Sequence, residues 1–360
     1  MKKSLASVEI AAIIHELQRL VKGKVSQIYD YGEKELLLQV HAPQLGKQLL
    51  RIIPGKLLNL TDKKETSLRP TGFCMQLRKY IDNATINKIE QQNSERIVII
   101  ELEKKERFYL IIEFFSTGNI ILTDNTLNII GVLHRQIWKD RAVKPRETYV
   151  FPEHKAQWKD ISSQDLEELL NKSEKKNIAT ALATEVSLGG VYAEEICKQT
   201  QVDKNKLPTE LSREEVQKLA GGMKALLKLI ANPHGYIYEQ EISPFPLSDA
   251  IPIKKMETYN EAINTLNPLE VASPFEKKIS GIKKMITEQE ESIKELQEKI
   301  DRNKRKGELI YEHYPALQKL LQIVQELRKS HDWNFIEKEL KKEKRIRQVN
   351  LKDKKIRIDL

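Results

Sequence analysis

The sequence predicts an α+β protein in three parts: an antiparallel β-rich N-terminal domain, an all-α domain and a long coiled-coil helix. Three observations support this prediction. Short apolar runs follow one another closely up to residue 133, helical periodicity extends over residues 166–231, and a heptad repeat extends over residues 279–328. The expected boundaries divide the chain into residues 1–152, 153–232, 233–274, 275–345 and 346–360.

Seven apolar runs separated by turn residues predict the strands of the first domain. They are residues 25–31, 35–41, 48–53, 96–103, 108–115, 119–123 and 128–133. Because the runs lie too close together for crossover helices, we expect antiparallel pairing in a sandwich or a barrel. The expected hairpin turn between the last two strands is Asp124-Asn125-Thr126.

Two helices accompany these strands. The first is expected to begin after Ser7, its N-cap, and to end before Gly23; its apolar face holds Ile10, Ile14, Leu17 and Val21. The second is expected over residues 72–81, with Arg78 and Lys79 away from its apolar face.

The all-α domain is predicted to contain a helix-hairpin-helix. Apolar periodicity indicates helices over residues 166–171, 178–186, 193–199 and 213–231, and Gly189 and Gly190 form a tight turn between the second and the third. Such a turn can offer backbone N–H groups to a phosphate. Because Glu194 and Glu195 follow at once and would repel a phosphate, we favour a purely structural connector.

A Pro-rich segment, residues 233–274, is expected to pack over a neighbouring domain and lead into the coil. The coil seam comprises Ile279, Ile282, Ile286, Ile293, Leu296, Ile300, Ile310, Tyr314, Leu317, Leu321 and Val324. A second helix must cover this seam, either in a dimer or in an antiparallel hairpin arm. Pro315 either kinks the rod or starts a second helix. Residues 355–360 alternate as a strand, for which the sequence suggests no partner.

The charge of the chain is unevenly distributed. Residues 1–150 hold 24 basic against 17 acidic residues, residues 151–272 hold 14 against 19, and residues 273–360 hold 23 against 16, for a total net charge of +9. Basic ends indicate a nucleic-acid partner. No apolar run is long enough for a membrane span and the Met1-Lys2-Lys3 start is unlike a signal peptide, so we expect a cytoplasmic protein with no membrane partner.

Catalytic and metal-binding patterns are not found in the sequence. The seven histidines are scattered, and two cysteines cannot build a disulfide framework or a thiolate metal cage. We therefore expect no metal, no cofactor and no enzymatic activity. The pair Glu95-Arg96, just before an apolar strand, is either a solvated edge or a guanidinium oriented by a carboxylate for RNA. Arg78 and Lys79 would extend the same patch.

Five segments together resemble one known family. They are residues 72–80 (GFCMQLRKY), 94–98 (SERIV), 110–113 (LIIE), 118–122 (GNIIL) and 188–197 (LGGVYAEEIC). In this order they are similar to the NFACT proteins, which include bacterial RqcH and eukaryotic NEMF and are also labelled fibronectin-binding protein A-like.

The resemblance implies both an architecture and a function. The N-terminal domain would resemble that of formamidopyrimidine-DNA glycosylases, and the coil would be the outgoing leg of an antiparallel arm. The protein would bind a large ribosomal subunit obstructed by peptidyl-tRNA and recruit a further tRNA, so that the stalled chain gains a C-terminal tail without mRNA. The ribosome would perform the peptidyl transfer.

The resemblance also implies site residues. Glu9 and the pair Glu95-Arg96 match the positions of the family's tail-addition residues, although both acids are Asp in the family, and Leu57 stands where the family often has Arg. The start Met1-Lys2-Lys3 lacks the amino-terminal Pro-Glu of the glycosylases, so glycosylase chemistry is not expected.

The sequence leaves open two alternative functions and the question of which helix covers the coil seam. The family's older label suggests an extracellular matrix (fibronectin)-binding adhesin, and the glycosylase-like architecture suggests a DNA-binding protein. Because the sequence ends before a return helix, we expect the seam to be uncovered and to pair with a second copy through residues 279–328.

Overall fold

Nine strands in the first third of the chain form one antiparallel sheet in the computed structural model. They are β1 (Lys24–Asp30), β2 (Leu36–Ala42), β3 (Gly46–Ile53), β4 (Leu57–Leu60), β5 (Thr85–Gln91), β6 (Ile97–Glu103), β7 (Arg107–Glu113), β8 (Asn119–Asp124) and β9 (Ile129–Val132). Their order is β4-β3-β2-β1-β5-β6-β7-β8-β9, so β4 and β9 are edges. The expected antiparallel pairing is confirmed, and the sheet does not close into a barrel.

The structure describes residues 2, 4–64, 66–67, 69–138, 141–152, 156–266, 274–340, 346–350 and 355–358. The chain forms two compact units, Met1–Glu270 and Val271–Leu360. No described helix is both long and apolar enough to cross a membrane.

Two helices tie the halves of the sheet together. The helix α1 (Ser7–Leu17) packs against β4 of the first half and β5 of the second, and α2 (Gly72–Ile81) packs against β1 and β9. Ile10, Ile13 and Leu17 of α1 are fully buried in the core shared by both halves. Each such side chain stabilises the fold by about 1.5–3 kcal/mol.

Two turns of the sheet meet at a pair of glycines. Gly55, after β3, and Gly118, before β8, both have positive φ, at +70° and +76°. A Cβ added to Gly118 would lie 1.9 Å from the backbone nitrogen of Gly55. This contact joins the first half of the sheet to the second and leaves no room for a side chain.

The predicted strands omitted β4 and β5. In β5 the apolar residues Ile86 and Ile89 are three positions apart and therefore break the alternation of a regular strand. A register shift between Ile86 and Lys88 restores both to the buried face. Sequence periodicity cannot anticipate such a bulge. The predicted turn at Asp124 is confirmed, because its Oδ1 accepts the N–H groups of Thr126 and Asn128 at 2.8 and 2.9 Å.

Helices and short hairpins complete the first unit. The helices are α3 (Ser163–Lys172), α4 (Ile178–Glu185), α5 (Gly190–Gln199), α6 (Arg213–Ile230) and α7 (Tyr259–Asn264). The strands β10 (Gln136–Ile137) and β11 (Ala142–Val143) form a hairpin, and β12 (Gly235–Ile237), β13 (Ile242–Ser243) and β14 (Lys254–Met256) form a small sheet. The helices α4 and α5 pack together across residues 186–189. The helix-hairpin-helix assignment and the division at residues 152 and 232 stay predictions.

The second unit contains the coil as two helices rather than one rod. The helix α8 (Pro274–Glu312) ends before His313, and α9 (Tyr314–Ser330) carries Pro315 in its first turn, so the proline starts a second helix. The helix α10 (Trp333–Leu340) and the antiparallel strands β15 (Ile346–Asn350) and β16 (Lys355–Ile358) follow. The expectation of a terminal strand without a partner is wrong, because β16 pairs with β15. The sequence did not predict β15 because this strand overlaps the charged run that ends at Arg347.

The seam side chains of these helices are largely exposed. Ile282, Ile286, Ile293, Leu296, Ile300, Ile310, Tyr314 and Leu321 keep between 47% and 62% of their surface in solvent. Leu317 and Val324 are half-buried, and the side chain of Ile279 is not among those described. Pairing of the seam therefore stays a prediction.

Replacing Gly118 with Ala should destabilise the first unit by about 3 kcal/mol or more, since the Cβ meets the Gly55 backbone and φ is left-handed. Gly46→Ala is the matched control, because Gly46 has a φ of +66° with nothing within 4 Å, and it should cost about 1–2 kcal/mol. Midpoints of urea unfolding measure both. Equal losses would contradict a close approach at Gly118.

The seam predicts self-association. Light scattering of the chain should give a mass that rises with concentration, and Ile293→Glu should abolish the rise because it places a charge in the seam. Ile323→Glu is the matched control, since Ile323 is 43% exposed but outside the seam. A monomer at high concentration with its helicity intact would disprove the association.

Candidate functional site

A cavity of about 540 Å³ collects three of the predicted site residues. Glu95, Arg96 and Gly189 line its wall together with the residues around the start of α1 and the end of α4. Phe115, after β7, and Pro152 complete it. Segments that are far apart in the sequence therefore converge on one concave surface.

The turn that carries Glu95 and Arg96 is anchored to α1. Gln91 donates from Nε2 to the carbonyl of Glu95 at 2.8 Å and to the carbonyl of Ser7 at 3.1 Å. The Ser7 hydroxyl donates to the carbonyl of Ser94 and accepts a hydrogen bond from Nε1 of Trp158 at 2.9 Å. Trp158 and Ser7 are both 1% exposed. The sequence alone does not predict these hydrogen bonds, because the residues that form them lie up to 151 positions apart.

Arg96 has an unsatisfied donor at this wall. Its Nε atom is buried and has no hydrogen-bond partner among the described residues. Burial lowers the pKa of Arg96, and the charge of Glu9 opposes that shift. A buried donor left unpaired costs roughly 1–3 kcal/mol, so the guanidinium offers a strong site for an acceptor.

Two helix N-termini face the same cavity. Ala6, the N-cap of α1, and Gly189, the N-cap of α5, both line it. Gly189 has a φ of +84°, and a Cβ there would lie 3.2 Å from the Cβ of Ala6. The positive end of the α5 dipole therefore adds to the charge of Arg96 and favours an anion, whereas at α1 the Glu9 carboxylate already accepts the N–H of the N-cap.

The acidic residues near the glycine turn are engaged elsewhere. Glu194 pairs with Lys204 at 2.7 Å, and Glu195 is buried and accepts the N–H of Ser248 at 3.1 Å. Neither lines the cavity, so the repulsion expected from them is weakened. Glu95 does line it, with its Oε1 3.5 Å from the hydroxyl of Ser187.

Glu9 lies beneath the site rather than in its wall. It is fully buried and accepts from Lys2 Nζ at 2.6 Å, the hydroxyl of Tyr192 at 2.6 Å and the N–H of Ala6 at 2.7 Å. Burial raises the pKa of Glu9. The prediction of Ser7 as N-cap is wrong, because Ala6 occupies that position and the Glu9 carboxylate caps its N–H.

Arg78 and Lys79 are not brought to the cavity. Arg78 donates from Nε and Nη2 to the carbonyl of Ile28 at 2.9 and 2.7 Å, which ties α2 to β1. Lys79 is exposed, with Nζ 5.4 Å from the centroid of the Tyr80 ring. Leu57 is 2% exposed in the core, so an apolar side chain suits its position.

Lys159 also stabilises the turn that carries Glu95 and Arg96. Its Nζ donates to Oε1 of Gln91 at 2.7 Å, and its backbone N–H reaches the hydroxyl of Ser94 at 3.4 Å. Burial lowers the pKa of Lys159 to about 8, against a smaller opposing effect of Asp160.

This shift makes the stability of the first unit depend on pH. Because unfolded lysine has a pKa of about 10.4, the unfolded chain binds more protons between pH 8 and that value, and the free energy of unfolding should rise with pH there. Lys159→Met should remove this rise in urea-unfolding series. Lys218→Met is the matched control and should keep the rise, since hydrogen bonding to Glu214 raises the pKa of the exposed Lys218 and places its titration above this pH range. Identical slopes for wild type and Lys159→Met would refute the assignment.

Comparison with known proteins identifies the family. The family described as "NFACT N-terminal and middle domains" matches residues 7–359. The archaeal Rqc2 homolog aRqcH of Methanocaldococcus jannaschii is 30% identical over 96% of this chain and 55% of its own length. The human ribosome quality control complex subunit NEMF is 23% identical over 93% of this chain and 35% of its own. The chain thus spans about half the length of the archaeal relative and a third of the human one.

A solved structure shares the fold. The N-terminal part of the fibronectin/fibrinogen-binding protein from Streptococcus suis superposes with a TM-score of 0.60 at 20% identity, covering 73% of this chain and 98% of that one. The predicted likeness to formamidopyrimidine-DNA glycosylases stays a prediction. The match over residues 7–359 shows that this chain belongs to the NFACT family.

Proposed function

We propose that the chain acts in ribosome quality control in the cytoplasm. It binds the large ribosomal subunit obstructed by peptidyl-tRNA and recruits a further tRNA, so that the stalled chain is extended at its C-terminus without a template. The names of its relatives, a ribosome quality control complex subunit among them, support this assignment. The ribosome performs the peptidyl transfer, and the chain contributes binding alone.

The observation that carries this proposal is Arg96 in the cavity wall, whose buried Nε has no hydrogen-bond partner among the described residues. A phosphate oxygen of tRNA in the cavity accepts charge-assisted hydrogen bonds from the planar guanidinium. The N-terminus of α5 attracts the same charge. The cavity therefore holds the RNA backbone and positions it without reading its sequence.

The surrounding acids suit a positioning role. Glu9 is buried below Arg96 and opposes the loss of its charge, and Glu95 restricts the space beside it. Both are one methylene longer than the aspartates of the family. Glu9 keeps a carboxylate at this position and places it in contact with the buried side chains of Lys2 and Tyr192, at 2.6 Å each.

The alternatives lack a comparable observation in the described part of the chain. A likeness at 20% identity to a fibronectin/fibrinogen-binding protein shows the fold alone. The DNA-binding alternative predicts a preference for duplex DNA over tRNA, which competition between the two in the binding assay below would reveal.

Replacing Arg96 with Ala should weaken tRNA binding by roughly 10- to 100-fold, the effect of losing a charged hydrogen-bond donor. Binding to large subunits carrying peptidyl-tRNA, measured by cosedimentation, should change much less. Arg96→Lys should be intermediate, since it keeps the charge but loses the planar fork.

Arg107→Ala is the matched control. Arg107 lies at the opposite end of the β6–β7 hairpin and is paired there with Glu101 at 3.3 Å, so its loss should leave tRNA binding unchanged. Equal loss of tRNA and subunit binding in Arg96→Ala would count against the proposed role. So would equal effects of Arg96→Ala and Arg107→Ala.

A further inference from the structure

Beside the cavity, the guanidinium of Arg141 is surrounded by aromatic rings. Its Cζ lies 4.6 Å from the ring centroid of Trp138, 5.5 Å from that of Phe115 and 5.8 Å from that of Tyr149. Its position is fixed by Glu113, whose Oε1 accepts from Nη2 at 2.8 Å, and by the carbonyl of Val150 at 3.3 Å from Nη1. The guanidinium of Arg141 is therefore held in place and supports the rings that contact it.

The three rings differ in exposure. Tyr149 is 2% exposed and donates its hydroxyl to Glu113 at 2.8 Å, so it belongs to the core. Trp138 follows the short strand β10 and keeps 39% of its surface in solvent. Its neighbour Ile137 is 74% exposed. A large rigid ring held against a fixed cation yet left open to solvent is suited to stacking.

Two ring contacts of Arg141 link Trp138 to the cavity wall. Phe115 lines the cavity wall and contacts Arg141, and Arg141 in turn contacts Trp138. A molecule held at Arg96 can therefore extend past Phe115 onto Trp138.

The charge around the ring indicates the occupant. Among the described residues of segment 135–151, four are basic and one, Glu147, is acidic. Arg141 pairs with Glu113 and Lys144 with Glu147, so the positive charge of the segment rests on Arg135 and Arg146. An apolar protein partner would gain little from these charges. A nucleobase supplies the flat apolar face and its backbone supplies the anions.

We infer that Trp138, backed by Arg141, is the stacking platform for one unpaired base of the RNA whose backbone the Arg96 cavity holds. The inference rests on the proposed function, because it places the base beside the proposed phosphate site. It assigns to this chain a contact that requires an unstacked base, and so favours single-stranded ends or loops over a duplex.

The test compares a short single-stranded oligoadenylate with an abasic oligomer of the same length and phosphate number. Trp138→Ala should weaken binding of the oligoadenylate about tenfold, the usual effect of losing one aromatic stack, and leave the abasic oligomer unchanged. Trp138→Phe should retain most of the affinity, and Trp138→Leu, which keeps apolar volume without the ring, should behave like Trp138→Ala. Arg96→Ala should weaken both oligomers.

Tyr31→Ala is the matched control, since Tyr31 is 41% exposed on the same unit but does not line the cavity. It should bind both oligomers as the wild type does. Fluorescence gives a second readout: oligoadenylate should quench the emission of the wild type more than that of Trp138→Phe, because Trp158 is buried and Trp333 of the second unit is present in both proteins.

The outcomes separate the two proposals. Unchanged oligoadenylate binding by Trp138→Ala, or an equal loss on the abasic oligomer, overturns the platform and leaves the phosphate site standing. A base-dependent loss in Trp138→Ala with intact binding by Arg96→Ala supports the platform and overturns the phosphate site. If neither oligomer binds the wild type, both proposals fail.

Discussion

The buried carboxylate of Glu9 is the constraint on which the arrangement of the first unit depends. A charge in the core is tolerated only when it is paired and hydrogen-bonded, and removing one partner of such a pair typically costs 3–5 kcal/mol. Glu9 meets this need with Lys2, the backbone N–H of Ala6 at the N-cap of α1 and the hydroxyl of Tyr192 on α5. Three segments are thereby held at one point, and the N-termini of α1 and α5 are brought side by side.

The cavity follows from that arrangement. Once α1 is fixed, the hydroxyl of Ser7 and the side chain of Gln91 hold the turn before β6, and this turn delivers Arg96 to the wall. Burial makes the guanidinium costly, and the charge of Glu9 below it opposes the loss of its proton. The Nε of Arg96 thus lowers stability because it has no partner in the described part of the chain, and this suits a rigid anion site better than a structural contact.

Local patterns in the sequence predicted the elements that local physics determines. The bounds of α2 agree because its N-cap Thr71 and its apolar periodicity are both local, and the expected family was confirmed by the match over residues 7–359.

The predictions that were wrong or incomplete concern residues whose roles depend on long-range contacts. Ser7 resembles an N-cap, but its hydroxyl accepts a hydrogen bond from Trp158, which lies 151 residues away. Arg78 was expected to extend the patch of Arg96, but it donates to the carbonyl of Ile28 and does not line the cavity, and no periodicity reveals that partner. Glu95, Arg96 and Gly189 were each singled out, whereas only the fold shows that they share one wall.

The central claim is that the cavity around Arg96 receives the backbone of a tRNA. The most direct measurement is a density map of this chain bound to a large ribosomal subunit obstructed by peptidyl-tRNA, with a second tRNA present. The claim predicts a tRNA phosphate within about 3 Å of the Arg96 guanidinium, a hydrogen-bond distance, between the N-termini of α1 and α5. A tRNA bound elsewhere on the chain, with no nucleotide at Arg96, would contradict it.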